Sequence, residues 1–483
     1  MIHNRDIAGT LLAQRAAFQA EGEVSAERRR HRLHRLARAV LAHEQALTDA
    51  LQEDYGNRSP FTTRAGDILG TVAAIEYHVA HVAEWMQPER IGLPPEAEAQ
   101  GTVAELHYQP LGVLGGLIPW NGPILMGCLA AMGGFAAGNR VMLKMSEMAP
   151  ATGAAFARAI ASEFDALELA VFNGDAAVAA EFARQPFDHL IFTGSTATGR
   201  KVMRAAAENL VPVTLELGGK SPVVVGASAD LALVANRLVA GKLASAGQVC
   251  VAPDYVFVPR GQTAALLAEC IRAAEALFPD MMRNRDYTCL IHESGHHRMR
   301  ALLRDALEKG AQASFVPASP ALDDLPSSGR FPFVVLTGVS DEMKVMREEI
   351  FGPLLPMVEY DTIDTALAAI ANGPHPLSAA YFGSNQEEAD HVARAIHTGS
   401  VVINDVRLQL NYEALPFGGV GPSGMGRYRG HAGFVTFSNR KVILRQGAGE
   451  SELAPKRPPF GAAAHAALDQ ALARKKAQFG LAS

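Results

Sequence analysis

The stretch VPVTLELGGKSPVVVG, residues 211–226, contains two short apolar runs separated by a double glycine. Each run is rich in valine or leucine and is bounded by glycine or proline, which is typical of a strand buried on both faces. Upstream of this stretch, apolar runs alternate with helical patterns, and the same alternation resumes downstream. Such alternation predicts parallel sheets covered by helices on both faces. The sequence therefore predicts an α/β fold in which residues 211–226 join two successive halves.

The predicted elements of the two halves follow one another at short intervals. The strands predicted upstream are 112–119, 141–144, 167–173 and 189–194, with helices at about 150–163, 176–184 and 196–208. The strands predicted downstream are 221–226, 255–259, 331–338, 354–360, 377–383 and 400–405, with a helix over 230–246. Helical spacing also covers residues 8–55 and about 65–85. The run 102–110 is predicted to be a strand or hairpin, and 434–446 a strand pair.

The composition argues against several classes of protein. The chain has 483 residues, 48% of them hydrophobic and 19% charged, so it is long enough for two or three domains. Its formal charge of −6 gives no indication of a nucleic-acid or membrane partner, and the basic run at 27–35 is interpreted as a solvated helix face. No apolar run approaches the roughly 20 residues of a membrane helix. The four cysteines form no CxxC pair, and the start has no secretory pattern, so we expect a cytoplasmic protein.

The segment SAGQVCVAP, residues 245–253, places Cys250 among small residues. A thiolate is a strong nucleophile, and the nearby glycine allows a flat electrophile to approach the backbone. Glu216 lies in the joining stretch, where an apolar run ends. A nucleophile and a carboxylate, each at the end of an element, form a candidate active site. Judged locally, a cysteine between two valines also fits a small buried hydrophobe.

Two familiar motifs occur in contexts that do not suit their usual functions. Gly419, Gly421 and Gly424 match GxGxxG, but no clean strand–helix pair surrounds them, so we expect no dinucleotide fingerprint there. Residues 292–296, HESGH, match HExxH. A zinc site needs both histidines on one helix face and a third ligand, whereas the central Ser-Gly pair disfavours helix. The segment is interpreted as the start of the next helix, and no metal site is predicted.

Three strand ends carry side chains that suit a nucleotide or an oxyanion. In HLIFTGSTATGRK, residues 189–201, Ser195 opens a helix whose free N–H groups suit a phosphate, although Ser195 equally suits a plain helix cap. Lys144 ends another strand, and Glu147 can bind both hydroxyls of a ribose and repel a 2′-phosphate. The amide of Asn121 can donate to a developing oxyanion.

Seven motifs together resemble one enzyme superfamily. They are IPWN (118–121), LKxSE (143–147), FTGST (192–196), ELGGKSP (216–222), GQVC (247–250), EEIFGP (348–353) and PFGGVGPSGMG (416–426). In this order they resemble the NAD(P)-dependent aldehyde dehydrogenases over roughly residues 30–445. The short region before IPWN and the SGMG loop resemble the class 3 branch. LLAQRAAF, DILGTVAAI and GQVCVAPDY resemble its bacterial coniferyl-aldehyde dehydrogenase members.

The resemblance implies two Rossmann-like parallel-sheet domains and a small β oligomerisation arm. The implied ranges are 1–100 and 110–217 for cofactor binding, 218–430 for catalysis, 101–109 with 431–447 for the arm, and 448–483 for a tail. An amphipathic helix is predicted in the tail at about 462–478. Because unpaired arm strands need cover, we expect a homodimer.

The resemblance also implies a role for each site residue. Cys250 attacks the aldehyde, Asn121 and the Cys250 N–H stabilise the oxyanion, and Glu216 activates the water that releases the acid from the thioester. The implied cofactor is NAD, with NADP as the alternative. The implied cofactor-binding residues are Ile118, Pro119, Trp120, Lys144, Glu147, Phe192, Gly194, Ser195, Leu217, Gly218, Glu349 and Phe351.

Two positions depart from the family pattern. Met145 follows Lys144 where proline is common, which can reshape the adenosine pocket. Gly122 follows Asn121 where a bulky aromatic is usual, which widens the substrate tunnel, favours aromatic or branched aldehydes and argues against a simple transfer of coniferyl-aldehyde specificity. The substrate class that we expect is an aromatic, cinnamyl-type or medium-chain aldehyde. The alternatives are a cysteine hydrolase or acyl transferase without redox chemistry, a CoA-acylating variant, and a non-catalytic homologue.

Overall fold

A computed structural model describes residues 6–318 and 325–481. The described residues up to Trp85, together with Pro110–Ser438, form one unit that contains two parallel sheets. Met86–Gln109 and the described residues from Asn439 onward form a second unit, in which most of a three-stranded sheet lies. The predicted α/β fold with two parallel-sheet halves is confirmed.

The strands are short and mostly buried. In chain order they are β1 (Glu89–Ile91), β2 (Val103–Pro110), β3 (Val113–Leu117), β4 (Arg140–Lys144), β5 (Leu169–Phe172), β6 (His189–Gly194), β7 (Val213–Leu217), β8 (Pro222–Val225), β9 (Tyr255–Pro259), β10 (Gln312–Val316), β11 (Phe333–Thr337), β12 (Leu354–Tyr360), β13 (Ser378–Phe382), β14 (Ser400–Ile403), β15 (Gly424–Met425) and β16 (Ser438–Arg445).

The helices flank these strands. They are α1 (Ile7–Glu21), α2 (Ala26–Ala42), α3 (Glu44–Tyr55), α4 (Pro60–Thr62), α5 (Gly70–Trp85), α6 (Pro95–Ala99), α7 (Pro123–Ala137), α8 (Pro150–Ala161), α9 (Ala176–Ala183), α10 (Thr196–Ala207), α11 (Leu231–Leu243), α12 (Thr263–Leu277), α13 (Glu293–Glu308), α14 (Lys344–Arg347), α15 (Ile363–Ala371), α16 (Gln386–Ala395), α17 (Gly430–Thr436) and α18 (Ala462–Gln478). A π-helical segment, Thr63–Leu69, precedes α5. None of the described helices combines the length and the apolar character needed to cross a bilayer.

The first sheet has the strand order β15-β7-β6-β3-β4-β5. Its strands are parallel except β15, which runs antiparallel to β7. The chain proceeds outward from β3 to β5 and then returns to β6 on the other side of β3, so the strand order reverses between β3 and β6. Leu117 at the end of β3 is in register with Lys144 and with Phe192. The carboxyl ends of these strands therefore form one edge, where ligands of α/β sheets commonly bind.

The second sheet has the order β10-β11-β12-β9-β8-β13-β14 and is parallel except for β10. Only four residues, 218–221, connect the end of β7 at Leu217 to the start of β8, the first strand of this sheet, at Pro222. The carboxyl edge of the first sheet is therefore joined directly to the amino edge of the second. The loops that precede β9 and β12 lie at this amino edge.

Three elements differ from the sequence predictions. The strand pair predicted at 434–446 is wrong: α17 ends at Thr436 and a single strand, β16, follows. Phe434 and Phe437 are both fully buried, and their spacing of three residues suits a helical turn. The helix predicted over 230–246 ends at Leu243, and the region predicted as helical over 8–55 is three helices. The structure also has α7 and β10, which the sequence did not indicate.

Candidate active site

The loop that carries Cys250 is a tight turn after α11. Ser245, Ala246 and Gly247 all have positive φ, at 51°, 52° and 77°. A Cβ atom on Gly247 would lie 2.4 Å from the carbonyl oxygen of Gly352, so only glycine fits this approach. The turn therefore holds the cysteine loop against the segment that precedes β12.

Asn121 lies against the same loop. It follows β3 and comes just before α7, and its Nδ2 donates to the carbonyl oxygen of Gln248 at 3.1 Å. Arg58 donates to the carbonyl oxygen of Asn121, also at 3.1 Å. The structure thus brings the predicted oxyanion donor against the loop that carries the predicted nucleophile, although the two residues are far apart in sequence.

Glu216 is buried in β7, next to the glycine-rich loop. It is in register with Gly424 of β15 and with Thr193 of β6. Neither carboxylate oxygen has a hydrogen-bond partner among the described residues. Burial raises the pKa of Glu216 well above its usual value, and the positive charges of Arg427 and Arg429 partly oppose this rise.

Cys250 is half-buried and electrostatically coupled to two carboxyl groups. Burial, together with the charges of Glu216 and Glu349, raises the pKa of its thiol to about 12, and the charges of Arg429 and Arg407 partly oppose this rise. The thiol is therefore the dominant form at neutral pH, and a proton must leave when the sulfur attacks. Glu216 is close enough for its charge to affect that sulfur.

Two side chains at the end of β4 form a charged pair. Lys144 is 2% exposed, and its Nζ donates to the carbonyl oxygen of Met145 at 2.7 Å. The same Nζ lies 3.8 Å from Oε2 of Glu147, whose side chain is 45% exposed. Burial lowers the pKa of Lys144, and Glu147 opposes that change. An exposed carboxylate beside a buried ammonium group can accept hydrogen bonds from sugar hydroxyls.

Ser195 lies where β6 passes into α10. Its Oγ accepts a hydrogen bond from the backbone N–H of Thr198 at 3.3 Å, so it is the helix cap. Ser195 itself is exposed, and the helix N-terminus beside it suits an anion. Both interpretations made from the sequence, cap and phosphate site, are compatible with this position.

The remaining predicted residues of the first sheet lie along the same edge. Ile118 and Pro119 directly follow β3, Phe192 and Gly194 lie near the end of β6, and Leu217 ends β7. The Phe192 ring packs so closely on Gly194 that a Cβ there would lie 2.5 Å from Cζ of the ring.

Glu349 and Phe351 reach this edge from the second sheet. A Cβ on Gly218 would lie 1.9 Å from Oε2 of Glu349, so the carboxyl group rests on the Gly218 backbone. Burial raises the pKa of Glu349 to about 7, while the N–H of Gly219 acts against the rise. The rings of Trp120 and Phe351 meet edge to face, with centroids 5.4 Å apart and an interplanar angle of 78°. Residues that belong to loops beside both sheets therefore meet at this edge.

Comparison with known proteins shows the family of the chain. The model of the aldehyde dehydrogenase family matches residues 2–443. The chain belongs to the aldehyde dehydrogenase family. It is 45% identical over 455 residues to a coniferyl aldehyde dehydrogenase of Pseudomonas sp. strain HR199, covering 94% of this chain and 93% of the relative. It is 30% identical to a dimeric NADP-preferring aldehyde dehydrogenase of Canis lupus familiaris, over 92% of this chain and 96% of the relative.

A solved structure gives the same result. The substrate-bound state of Staphylococcus aureus AldH superposes with a TM-score of 0.88 at 30% identity, covering 96% of this chain and 99% of that one. The predicted family, fold and enzyme class are confirmed. This aldehyde dehydrogenase oxidises an aldehyde to the carboxylic acid with NAD(P)⁺.

The HExxH and GxGxxG matches both make structural contacts in this aldehyde dehydrogenase. His296 of the HExxH match lies in α13, and its ring nitrogens lie 3.0 Å from the carbonyl oxygens of Pro326 and Gly329. In residues 6–318 and 325–481, no group of three or more His, Cys, Asp or Glu could hold a metal ion. Of the GxGxxG match, Gly424 packs on β7, where a Cβ would lie 2.2 Å from the carbonyl oxygen of Leu215. That loop supports Glu216 and forms no strand–turn–helix phosphate site.

The sequence did not indicate the cationic and aromatic groups behind the nucleophile. Arg407, Arg429 and Tyr428 all interact electrostatically with Cys250. Arg429 has a φ of 86°, is 7% exposed and donates to the carbonyl oxygen of Leu410 at 2.9 Å. The one local sign of these cationic groups was the repeated arginine in RYRG, residues 427–430. The repeat does not show which carboxyl group the arginine side chains face.

Proposed function

We propose that this aldehyde dehydrogenase uses Cys250 as its nucleophile, Asn121 as its oxyanion donor and Glu216 as its general base. The observation that carries this proposal is the hydrogen bond from Asn121 Nδ2 to the carbonyl oxygen of Gln248, two residues before Cys250. An amide donor beside the nucleophile's backbone is where the oxygen of an attacked carbonyl needs a partner. The third group is the carboxyl group of Glu216, which has no hydrogen-bond partner among the described residues and whose charge affects the Cys250 thiol.

The proposed reaction proceeds through two tetrahedral stages on Cys250. Addition of Sγ to the aldehyde carbon forms a C–S bond and leaves the negative charge on the former carbonyl oxygen, while the thiol proton passes to a base or to water. Asn121 Nδ2 and the Cys250 N–H donate to that oxygen. When bound, NAD(P)⁺ supplies the hydride acceptor. The thioester that remains is hydrolysed by a water whose proton passes to Glu216, and the raised pKa makes its carboxylate a better base near neutral pH.

The residues at the carboxyl edge of the first sheet fit a dinucleotide. Glu147 and Lys144 suit the adenosine ribose, the α10 N-terminus at Ser195 suits the pyrophosphate, and Glu349 suits the nicotinamide ribose. The other proposed cofactor contacts are Ile118, Pro119, Trp120, Phe192, Gly194, Leu217, Gly218 and Phe351. Because the carboxylate of Glu147 is exposed where a 2′-phosphate would lie, we propose that NAD⁺ is preferred over NADP⁺.

The proposed substrates are aromatic and cinnamyl-type aldehydes. A Cβ on Gly122 would meet only Met126, whose Cγ would lie 3.8 Å away, so there is room where the family usually carries an aromatic ring. The coniferyl aldehyde dehydrogenase of Pseudomonas at 45% identity supports the same class. Medium-chain aliphatic aldehydes are the competing class.

We also propose a cytoplasmic homodimer in which the second unit is the oligomerisation arm. Val442 and Leu444 of β16 are 60% and 63% exposed, which is a pattern that a partner strand or surface would cover. The four cysteines are free thiols, which suits a reducing compartment. Residues 1–100 with 110–217 are assigned to cofactor binding, 218–430 to catalysis, 101–109 with 431–447 to the arm, and 448–483 to the tail.

Purified protein and its Cys250→Ala variant test the proposal. We expect the wild type to reduce NAD⁺ with cinnamyl-type and aromatic aldehydes at a higher kcat/KM than with aliphatic ones or with NADP⁺, as followed by absorbance at 340 nm. Cys250→Ala should bind NAD⁺ with unchanged affinity and show no aldehyde oxidation, whereas Cys270→Ala, a buried thiol in α12, should remain active. Oxidation by Cys250→Ala at near wild-type rate overturns the assignment. Ester cleavage without nucleotide dependence, and no aldehyde oxidation, would favour the cysteine hydrolase instead.

A further inference from the structure

Gln248 is buried between the cysteine turn and a separate segment of the chain. It is 2% exposed. Its Nε2 donates to the carbonyl oxygens of Ser245 at 2.9 Å and Cys289 at 3.0 Å, and its Oε1 accepts from the N–H of Ile291 at 3.1 Å. One amide group therefore fastens the strained turn to residues 289–291.

The backbone of the same residue holds the oxyanion donor. The Gln248 carbonyl oxygen accepts the hydrogen bond from Asn121 Nδ2, and the Gln248 N–H donates to Ser245. The three residues before Gln248 all have positive φ, which the surrounding contacts must maintain. The two peptide groups on either side of the Gln248 Cα thus contact Asn121 and the turn that leads to Cys250.

These contacts close into a ring. Asn121 Nδ2 donates to the Gln248 carbonyl oxygen, and Gln248 Nε2 donates to the Cys289 carbonyl oxygen. The Cys289 N–H then donates to the carbonyl oxygen of Asn57 at 2.9 Å. Arg58, the next residue, donates back to the carbonyl oxygen of Asn121. Arg58 is itself fixed by Asp67 at 2.7 Å. The closed ring therefore restrains Asn121 at its side-chain amide and at its backbone carbonyl group.

We propose that Gln248 is a positioning residue, and that it holds the Asn121 amide and the Cys250 loop at the separation that oxyanion stabilisation requires. It acts through these two residues and has no contact with substrate in this role. The inference rests on the proposed roles of Cys250 and Asn121. A displacement of about 1 Å at a reacting group can lower the rate on the order of 100-fold, so the effect belongs in kcat.

Gln248→Met preserves the length of the side chain and removes its hydrogen bonds. We expect kcat to fall about 10- to 100-fold with KM for the aldehyde and NAD⁺ affinity changed less than about threefold, because binding contacts remain. The matched control is Gln14→Met: Gln14 is fully buried and also donates to two carbonyl oxygens, those of Val141 and Ala166, at the other side of the first sheet. The proposal is supported if Gln248→Met and Gln14→Met lose similar amounts of thermal stability and only Gln248→Met loses kcat. If Gln248→Met does not fold, Gln248→Glu, which keeps the acceptor for Ile291, takes its place.

A double-mutant cycle separates positioning from a general structural effect. Asn121→Ala should lower kcat about 100- to 1,000-fold, because it removes an oxyanion donor. In that background Gln248→Met should lower kcat less than threefold further, since most of its effect passes through Asn121. Full additivity, or an unchanged kcat in Gln248→Met alone, overturns the inference. An unchanged kcat in Asn121→Ala overturns the proposed oxyanion role instead, so the two failures are distinguishable.

Discussion

At the scale of single residues, Glu216 shows how burial adjusts an ordinary carboxyl group to a specific task. It lies in the middle of a hydrogen-bonded sheet, yet both of its oxygen atoms lack partners among the described residues. Burying a carboxyl group without a hydrogen-bond partner lowers the stability of the fold. Buried groups with shifted pKa values are common at functional sites. The raised pKa increases the basicity of the carboxylate at the pH where the thioester must be hydrolysed.

Replacement of Glu216 by glutamine removes the base and keeps the shape. We expect a fast first turnover of reduced cofactor followed by steady turnover that is about 100-fold slower or more, because only thioester hydrolysis needs the base. Stopped-flow absorbance measures both phases. Glu413→Gln is the control, since Glu413 is another carboxyl group with a raised pKa, near α17, that has no proposed role in the reaction. Unchanged steady turnover in Glu216→Gln, or loss of the first turnover, would contradict the base role.

At the scale of elements, the turn before Cys250 depends on glycine. Gly247→Ala adds a Cβ 2.4 Å from the Gly352 carbonyl oxygen at a residue with positive φ, whereas Gly310→Ala adds one at a φ of 96° with no atom within 4 Å. We expect Gly310→Ala to lower the free energy of unfolding by about 1–2 kcal/mol, from backbone strain alone. Gly247→Ala should lower it further and also reduce kcat.

Thermal unfolding and steady-state kinetics of the two glycine variants check this expectation. The comparison is informative because both variants share the backbone strain and only one has the steric clash. Equal destabilisation in the two variants, with kcat retained in Gly247→Ala, would show that the turn does not need the close approach to Gly352.

Individual strands and helices also show how much of the fold could be predicted from the sequence. The strands beside the join were predicted because apolar and β-branched runs bounded by glycine and proline have few alternatives. Helix α7 was missed because it is buried on all sides, so no polar face reveals its period. The roles of Cys250, Glu216 and Asn121 were inferred from motif resemblance and stay predictions, although the structure places Asn121 against the loop that carries Cys250.

The contacts of Gln248 could not be predicted from the sequence. They link residues near 57, 121, 248 and 289, which are separated by long stretches of chain. Local patterns indicate the ends of elements but not which ends meet. Only the order of strands in the two sheets, and the short connection between β7 and β8, brings these loops to one edge.

At the scale of the whole molecule, two buried histidines make stability depend on pH. His78 in α5 is 1% exposed and His189 in β6 is 6% exposed. Burial lowers the pKa of each from 6.5 to about 4. Between these values the unfolded chain binds more protons than the folded one, so stability is fully present above about pH 6.5 and is lost as the pH falls toward 4. Each histidine should account for about 2 kcal/mol of this loss at pH 5, from 1.4 kcal/mol per pKa unit.

Two carboxyl groups act in the opposite direction. Glu216 and Glu349 have raised pKa values in the folded state, so acid favours folding through them, and the total pH profile is flatter than the histidines alone would give. The variant His78→Gln/His189→Gln isolates the histidine contribution, because the carboxyl groups are unchanged. Urea unfolding should show a free-energy difference between wild type and variant that shrinks by about 4 kcal/mol from pH 8 to pH 5. His465→Gln, on the exposed face of α18, serves as the control, and a difference independent of pH in the double variant would mean that the two histidines are not buried in their neutral form.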